Sequence, residues 1–358
     1  MALWKRVLGA VVLLGILFGI NSWAGAMEQA ISQRPDLQQH PFYGKFELGY
    51  TVVLEVGRWI ILAVSLNLIN GIAGQFSLGH AAFAAVGGYT AAAVTVFIGP
   101  RFAGNPAATS ALLAAALLLG GLAAACSGFI VGLPSLRLRG DYLAIVTLGF
   151  GEVVRVIIQH IDAVGGSQGF NGIPILTNFF WMYLVVVITI LVARNILQSG
   201  HGRALLAIRE DEIAAEAMGV PLTRYKVMAF VIGAFFAGLA GGLYAHRVNT
   251  LQPEAAGFLD SIQIVTMVVL GGSGSITGAV LAATLLTLLP EILRTVRPDW
   301  EAYRMPIYAL LLIVLMLTRP QGLLGSKELS FAGFRRKGSR DGGPGSGAPP
   351  TTSGEITA

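Results

Sequence analysis

Residues 200–226 read GHGRALLAIREDEIAAEAMGVPLTRYK, the one sizeable charged stretch inside a region otherwise made of long apolar runs. Its surroundings decide the fold class. Hydrophobic residues make up 54% of the 358, charged residues only 12%, and mean hydropathy is +0.70. Soluble domains carry roughly 25% charged residues, so a soluble core accounts poorly for this composition. The hydrocarbon core of a bilayer needs about 20 apolar residues per helix. Windows of that kind fall at 7–24, 51–70, 79–99, 109–133, 141–160, 179–198, 227–246, 258–272, 276–293 and 305–318. The expectation is an all-α, polytopic transmembrane bundle of about ten membrane segments, the eighth and tenth short, with one large polar element on a single face.

The basic residues set an orientation. With the N-terminus inside and the sides alternating, Lys5, Arg6, Arg137, Arg139, Arg194, Arg203, Arg209, Arg224, Lys226, Arg319 and the basic residues of the tail fall on the cytoplasmic side. Arg34, Lys45, Arg101, Arg247, Arg294, Arg297 and Arg304 fall outside, and Arg58 and Arg155 lie within spans. Both termini are expected in the cytoplasm. The net charge of +5 is then topological and calls for no nucleic-acid partner.

Residues 1–24 read as a first span with a signal-like character, because Ala24-Gly25-Ala26 matches the small-x-small pattern of a cleavage site. The apolar run is longer than the usual h-region of about 7 to 15 residues, which favours retention. Residues 25–50 read as an extracytoplasmic loop and 51–325 as the membrane domain, with the cytoplasmic loop at 199–226. Residues 326–358 include GGPGSGAPPTTSG, too poor in apolar surface to offset chain entropy, and read as a disordered cytoplasmic tail. The lone Cys126 excludes a disulfide framework or a thiol metal cluster.

Between Leu66 and Ala93 the apolar run is broken by Asn67, Asn70, Gly71, Gly74, Gln75, Ser77 and His80. Unsatisfied polar groups in hydrocarbon cost several kcal/mol each, so this segment must face protein or a water-filled cavity. A second break, Gly271 to Gly278, joins two later apolar runs on the same side; the two mark a weak pseudo-repeat, or are ordinary glycine turns.

Glu152 and Arg155 stand three apart near the centre of the fifth window. Facing lipid, each would cost about 2.5 to 3.5 kcal/mol, so they are expected to point inward and to neutralise each other across a turn, or to meet the two charged ends of a zwitterionic substrate. Glu55 and Arg58 repeat the spacing nearer a span end, where snorkelling makes them less informative. His80, three residues after Ser77, is either a gating histidine or a hydrogen-bonded packing one. No GxxxxGK[ST] occurs, so any ATP hydrolysis belongs to another chain. Gly271 to Gly274 matches the GxSG of intramembrane serine proteases, but every histidine precedes Ser273, whereas those enzymes take theirs from a later helix.

SLNLINGIAGQFSLGHAAFAAVGGY (65–89), LRLRGDYLAIVTLGFGEVVRVI (136–157), GGSQGFNGI (165–173), GRALLAIREDEIAAEAMGVPLTRYK (202–226) and VVLGGSGSITGAVLAA (268–283), in that order, resemble the permeases of branched-chain amino acid ABC importers, in particular the LivM-like branch. The resemblance covers roughly Leu66 to Gly325. Urea and amide importers are similar, so the substrate is less closely specified than the class. The resemblance implies a second, LivH-like permease, two cytoplasmic ABC ATPases carrying ATP and Mg, an extracytoplasmic binding protein, a bilayer, and no cofactor or enzymatic role in this chain. Asn67, Asn70, Gln75, Ser77, His80, Glu152 and Arg155 become candidates for the substrate path.

The charged loop fits that class on physical grounds. Gly202 to Met218 favours a helix, with Gly219 and Pro221 as its stop. Ile213, Ala214, Ala217 and Met218 form an apolar side, and Arg209, Glu210, Asp211, Glu212 and Glu216 a charged one. Such a helix docks into a groove on a partner, or is a solvated loop helix. By the resemblance it is the coupling helix, with Arg203, Arg209, Glu210, Asp211, Glu212, Glu216 and Gly219 as ATPase-coupling candidates. Two competing classes stay open: a self-contained gradient-driven transporter using Glu152, Arg155 and His80 as an ion relay, and a non-transporting membrane scaffold.

Overall fold

Every regular element that the computed structural model describes is helical. It describes residues 13–27, 41–102, 104–135, 141–296, 306, 309–310, 313–314, 317–318 and 322–325. The helices are α1 (Leu13–Met27), α2 (Pro41–Asn67), α3 (His80–Ile98), α4 (Pro106–Ser135), α5 (Asp141–Gln159), α6 (Phe179–Gln198), α7 (Gly200–Glu210), α8 (Glu212–Ala217), α9 (Leu222–Val248), α10 (Phe258–Gly271) and α11 (Ile276–Val296). Among the described residues, Phe170 and Leu251 form the sole β-bridge.

The expectation of about ten crossings is not reproduced in full. Among the described residues six helices are long and apolar enough to span, at Leu48–Ile72, His80–Phe102, Pro106–Leu133, Tyr142–Gln159, Phe179–Gln198 and Leu222–Val248. Shorter apolar helices at Leu13–Met27, Phe258–Gly271 and Ile276–Ile292 coincide with the first, eighth and ninth windows. Fourteen residues of α10 rise only about 21 Å, because Gly272, at φ 105, turns the chain out of the helix. Most of the 305–318 window, residues 1–12, the Arg137 and Arg139 positions and the 326–358 tail lie outside the described residues. The region taken as a loop, 25–50, is helical at both its edges, since α1 runs to Met27 and α2 begins at Pro41.

Burial ranks the helices. The spanning window of α2 is 83% buried and that of α6 28%, so α2 is central and α6 peripheral. Ile61, Ala63 and Leu66 of α2 are wholly enclosed. Helices α3, α4 and α9 pack through small residues, which let backbones approach where lipid supplies no hydrophobic drive between helices. A Cβ at Gly241 would collide with the carbonyl of Ala84, and one at Gly128 would lie 2.6 Å from the Ala234 methyl.

The bundle has two distinct ends. At one, α7 and α8 join α6 to α9. At the other, the α5–α6 loop is bound to the end of α9: the Phe170 amide donates to Leu251 O at 2.8 Å and Thr177 Oγ1 to Leu243 O at 2.9 Å.

Candidate functional site

The break between α2 and α3 begins as a π-turn at Leu68–Ile72, and the chain then runs without helix to Gly79. A broken span frees backbone groups that must be satisfied inside the protein. Here side chains from other helices do so. Leu78 N–H donates to Thr147 Oγ1 of α5 at 2.9 Å, and Ala81 N–H to Ser261 Oγ of α10 at 3.2 Å. Within the break, Asn70 Oδ1 accepts from Ser77 N–H at 3.1 Å. The second glycine break closes on the first: Gly274 N–H donates to Asn67 Oδ1 at 2.9 Å. Ser261 falls in none of the five quoted stretches and Thr147 within the one at 136–157, but a lone hydroxyl in an apolar run gave no signal of this role.

Five of the candidate path residues thus gather in one polar knot, Asn67, Asn70, Gln75, Ser77 and His80. His80 is fully buried with Nε2 2.8 Å from Ser65 Oγ. The Ser65 hydroxyl also lies 3.0 Å from Leu62 O, within the preceding turn. Among the described residues both polar atoms of the Gln75 side chain, Asn67 Nδ2, Ser77 Oγ and His80 Nδ1 are buried without a hydrogen-bond partner. Native interiors leave few such groups; their concentration at one helix break sets it apart from the packed core.

Glu152 and Arg155 do not join this knot. They pair with each other, Arg155 Nε donating to Glu152 Oε2 at 2.8 Å. Their side chains are 42% and 34% exposed, on a helix whose spanning window is only one-third buried. The mutual neutralisation expected across one turn is present. The pair is half-buried on the flank of α5, beside the buried Thr147, Gly151 and Val154.

The charged element is not the single helix expected over Gly202 to Met218. It breaks at Asp211, whose backbone is extended (φ −155, ψ 110) and whose carboxylate accepts from Ile213 N–H and Ala214 N–H at 2.8 and 3.0 Å. An aspartate two and three residues before free amides is a strong N-cap, and the cap outcompetes helix propensity. The stop at the far end is as expected. Gly219 is left-handed at φ 80, with its N–H on Glu216 O and the Val220 N–H on Ala215 O, a Schellman ending.

The coupling candidates divide by direction. Arg203, Glu210, Asp211 and Glu216 are exposed. Glu212 binds Lys226 Nζ at 2.5 Å, tying α8 to α9. Arg209 turns inward: Nη1 donates to Gly71 O at 2.8 Å. Its stem fills the space beside Gly74, where a Cβ would lie 2.7 Å from Arg209 Cγ, and its head lies against Gly274. Leu205, Ile208 and Ala215 anchor the element, while Ile213 and Met218 are 68% and 84% exposed.

A cluster toward the other end was missed. Glu55 accepts from Arg58 Nε at 2.8 Å and is also bonded by Arg247 of α9. The Arg58 guanidinium lies 4.2 Å from both the Trp59 and the Tyr244 ring centroids. The i,i+3 spacing of Glu55 and Arg58 was visible in the sequence; the third member, 192 residues away, was not.

Interrupted apolar helices around a buried polar knot are the geometry of an integral membrane protein whose broken spans face protein or a cavity rather than lipid. Residues 50–316 match the family model described as branched-chain amino acid transport system / permease component, and the chain belongs to that family. It is 38% identical to the high-affinity branched-chain amino acid transport system permease protein LivM of Salmonella typhimurium over 301 residues, 74% of this chain and 67% of that protein. The LivM of Escherichia coli K12 gives the same identity and coverage. A probable LivM of Methanocaldococcus jannaschii is 26% identical over 80% of this chain and 96% of its own length. No solved structure matches the chain significantly.

Proposed function

We propose that this chain is one of two permease subunits of an ABC importer that moves branched-chain amino acids into the cytoplasm. Family membership and the LivM relatives support the substrate class. The observation that carries the mechanism is the α7–α8 element. Its exposed apolar residues, Ile213 and Met218, suit a groove on a partner, while its buried side holds Arg209 against both glycine breaks. A push on α8 then reaches the polar knot through one guanidinium.

In this reading α7 and α8 face the cytoplasm, as the basic residues around them favour. The shorter apolar helices and the 305–318 window complete ten crossings, with both termini inside. A LivH-like permease completes the channel, since this chain is also 26% identical to the LivH of Salmonella typhimurium over 76% of its length. Two cytoplasmic ATPases bind ATP and Mg, and an extracytoplasmic protein delivers substrate. Asn67, Asn70, Gln75, Ser77 and His80 line the cytoplasmic part of the path, where orphaned polar groups find partners as the glycine breaks part.

Purification of the tagged chain from its native host in mild detergent, with mass spectrometry of what accompanies it, tests the assembly. A second permease and P-loop ATPases are the expected companions. A solitary chain, with those neighbours expressed, or leucine uptake unaffected by deleting the chain, refutes the reading.

A further inference from the structure

Arg194, Arg203 and Arg224 are exposed, and among the described residues none of them forms an ion pair. The other charges of the 200–226 stretch are mostly committed. Glu210 lies 3.4 Å from Arg209, Glu212 holds Lys226, and the Asp211 carboxylate caps α8. Glu216, the remaining acid, stands on α8 and likewise forms no ion pair among the described residues. No Asp or Glu occurs at 179–209 or 217–253, so the stretches that carry the three arginines supply them no carboxylate.

These arginines come from three elements that meet at one corner. Ile196 and Leu197 of α6, Leu206 of α7, and Tyr225 and Met228 of α9 share a single apolar cluster. The start of α7 folds against the last turn of α6 so closely that a Cβ on Gly202 would lie 2.3 Å from Ile196 O. The His201 ring sits 5.9 Å from the Tyr225 ring, which joins the start of α7 to the start of α9. Arg203 bends back over Gly200, its Nη2 3.9 Å from where a Cβ there would stand. Arg224 is exposed beside Tyr225, whereas Lys226, about 200° further round the helix, is buried and holds Glu212.

Arg194 decides the chemistry of the ligand. It lies inside the span Phe179–Gln198, four residues before its end, about 6 Å of helix. Leu191 and Ile188, three and six residues deeper in the span, are 51% and 42% exposed. Among the six spanning windows that of α6 is the least buried, at 28%, so this stripe faces lipid. An apolar stripe ending in a cation about one turn inside the membrane suits an acyl chain that leads into a phosphate. A soluble protein docked beneath α7 does not reach that depth. The positive-inside rule accounts for arginines on this side, but not for three left unpaired at one corner while acids of the same loop pair elsewhere.

We infer that the corner of α6, α7 and α9 binds the headgroup of an anionic phospholipid. Arg194, Arg203 and Arg224 take the phosphodiester, and Leu191 and Ile188 lie along an acyl chain. The guanidinium fork matches phosphate oxygens, and basic corners between spans at the cytoplasmic face are where anionic headgroups bind. The lipid then braces the joint between α6 and the α7–α8 element. The inference rests on the importer reading only in placing that element at the cytoplasmic face of the membrane.

The tagged chain, purified from its native host in mild detergent with whatever accompanies it and then delipidated, is titrated with phosphatidylglycerol or with phosphatidylcholine of the same acyl chains. Native mass spectrometry counts the lipids that stay on this chain. Phosphatidylglycerol is expected to bind at concentrations where phosphatidylcholine does not. Arg194→Gln and Arg224→Gln, both at exposed positions, should each weaken it about fivefold, the worth of one arginine near a charged headgroup. Arg101→Gln removes an exposed cation just after α3 and should leave the affinity unchanged. Equal binding of the two lipids, or phosphatidylglycerol binding that both Arg194→Gln and Arg224→Gln leave at the wild-type level, overturns the site. Displacement of the lipid by inorganic phosphate overturns it too, because it marks a site for free anions. The co-purifying proteins separate the two failures. A solitary chain that still binds phosphatidylglycerol through Arg194 refutes the importer reading alone, whereas an intact importer whose lipid binding ignores both arginines refutes the lipid site alone.

Discussion

Arg209 Nη1 donates to the carbonyl oxygen of Gly71 at 2.8 Å, across 138 positions of sequence. One guanidinium thereby joins the charged loop to the first helix break, and its contact with Gly274 extends the joint to the second. Arg209→Ala removes a charge-assisted bond of about 1.5 to 3 kcal/mol and the stem that packs against Gly74. We expect normal membrane insertion, a lower thermal midpoint in detergent, and leucine uptake reduced at least several-fold. Arg209→Lys keeps the charge without the fork and should fall between. Wild-type uptake in both variants would remove Arg209 from the coupling path.

The outward side of the same element gives a separate expectation. Met218 is 84% exposed and Ile213 68%, so their replacement costs the isolated chain little. Ile213→Asp with Met218→Asp should leave the melting temperature within about a degree, since exposed substitutions usually change stability by under 0.5 kcal/mol. The ATPases should no longer co-purify. Retained ATPases with normal uptake would mean that this face is solvated in the assembly.

Glu55 is the single carboxylate bonded to both Arg58 and Arg247, with its side chain 22% exposed. Removing one partner of a buried ion pair costs about 3 to 5 kcal/mol, and Glu55→Gln takes the shared carboxylate from Arg58 and Arg247 together. It should therefore destabilise the chain more than Arg247→Gln, which leaves Glu55 with Arg58. Thermal unfolding of the two variants, compared with Glu55→Gln/Arg247→Gln, checks this ordering; the double variant should recover part of the loss.

For Glu152 and Arg155 the expectation is the reverse of a catalytic pair. Both are a third or more exposed on α5, so either single neutralisation leaves a lone charge within a spanning helix. The double Glu152→Gln/Arg155→Gln should reach the membrane in larger amount than either single variant and transport at near wild-type rate. Loss of uptake in the double variant at full expression would give the pair a role in the path.

Helix positions were legible because an apolar run of spanning length, in a chain of this hydropathy, has few places to be buried except a bilayer. The two breaks were legible for the same reason in reverse: Asn67, Gln75 and His80 stand out inside an apolar run. The split of the charged loop at Asp211 was not foreseen, although an aspartate ahead of Glu212 and Ile213 is a recognisable cap. Propensity summed over Gly202 to Met218 outweighed it on paper, whereas two hydrogen bonds to one carboxylate outweigh it in the fold. The mutual neutralisation of Glu152 and Arg155 was legible from their spacing, because two charges three apart on a helix meet across one turn.

By itself, the sequence determined that this protein is a helical membrane bundle, where its spans are interrupted, and which single loop carries charge, because composition and periodicity are local properties. Only the tertiary structure decided that Arg209 faces the glycine breaks rather than a partner, that Asn67 holds Gly274, and that Arg247 completes a cluster with Glu55 and Arg58. Those pairings join residues 138, 207 and 192 positions apart, and the packing of helices that brings such residues together leaves no mark in the spacing of any one segment.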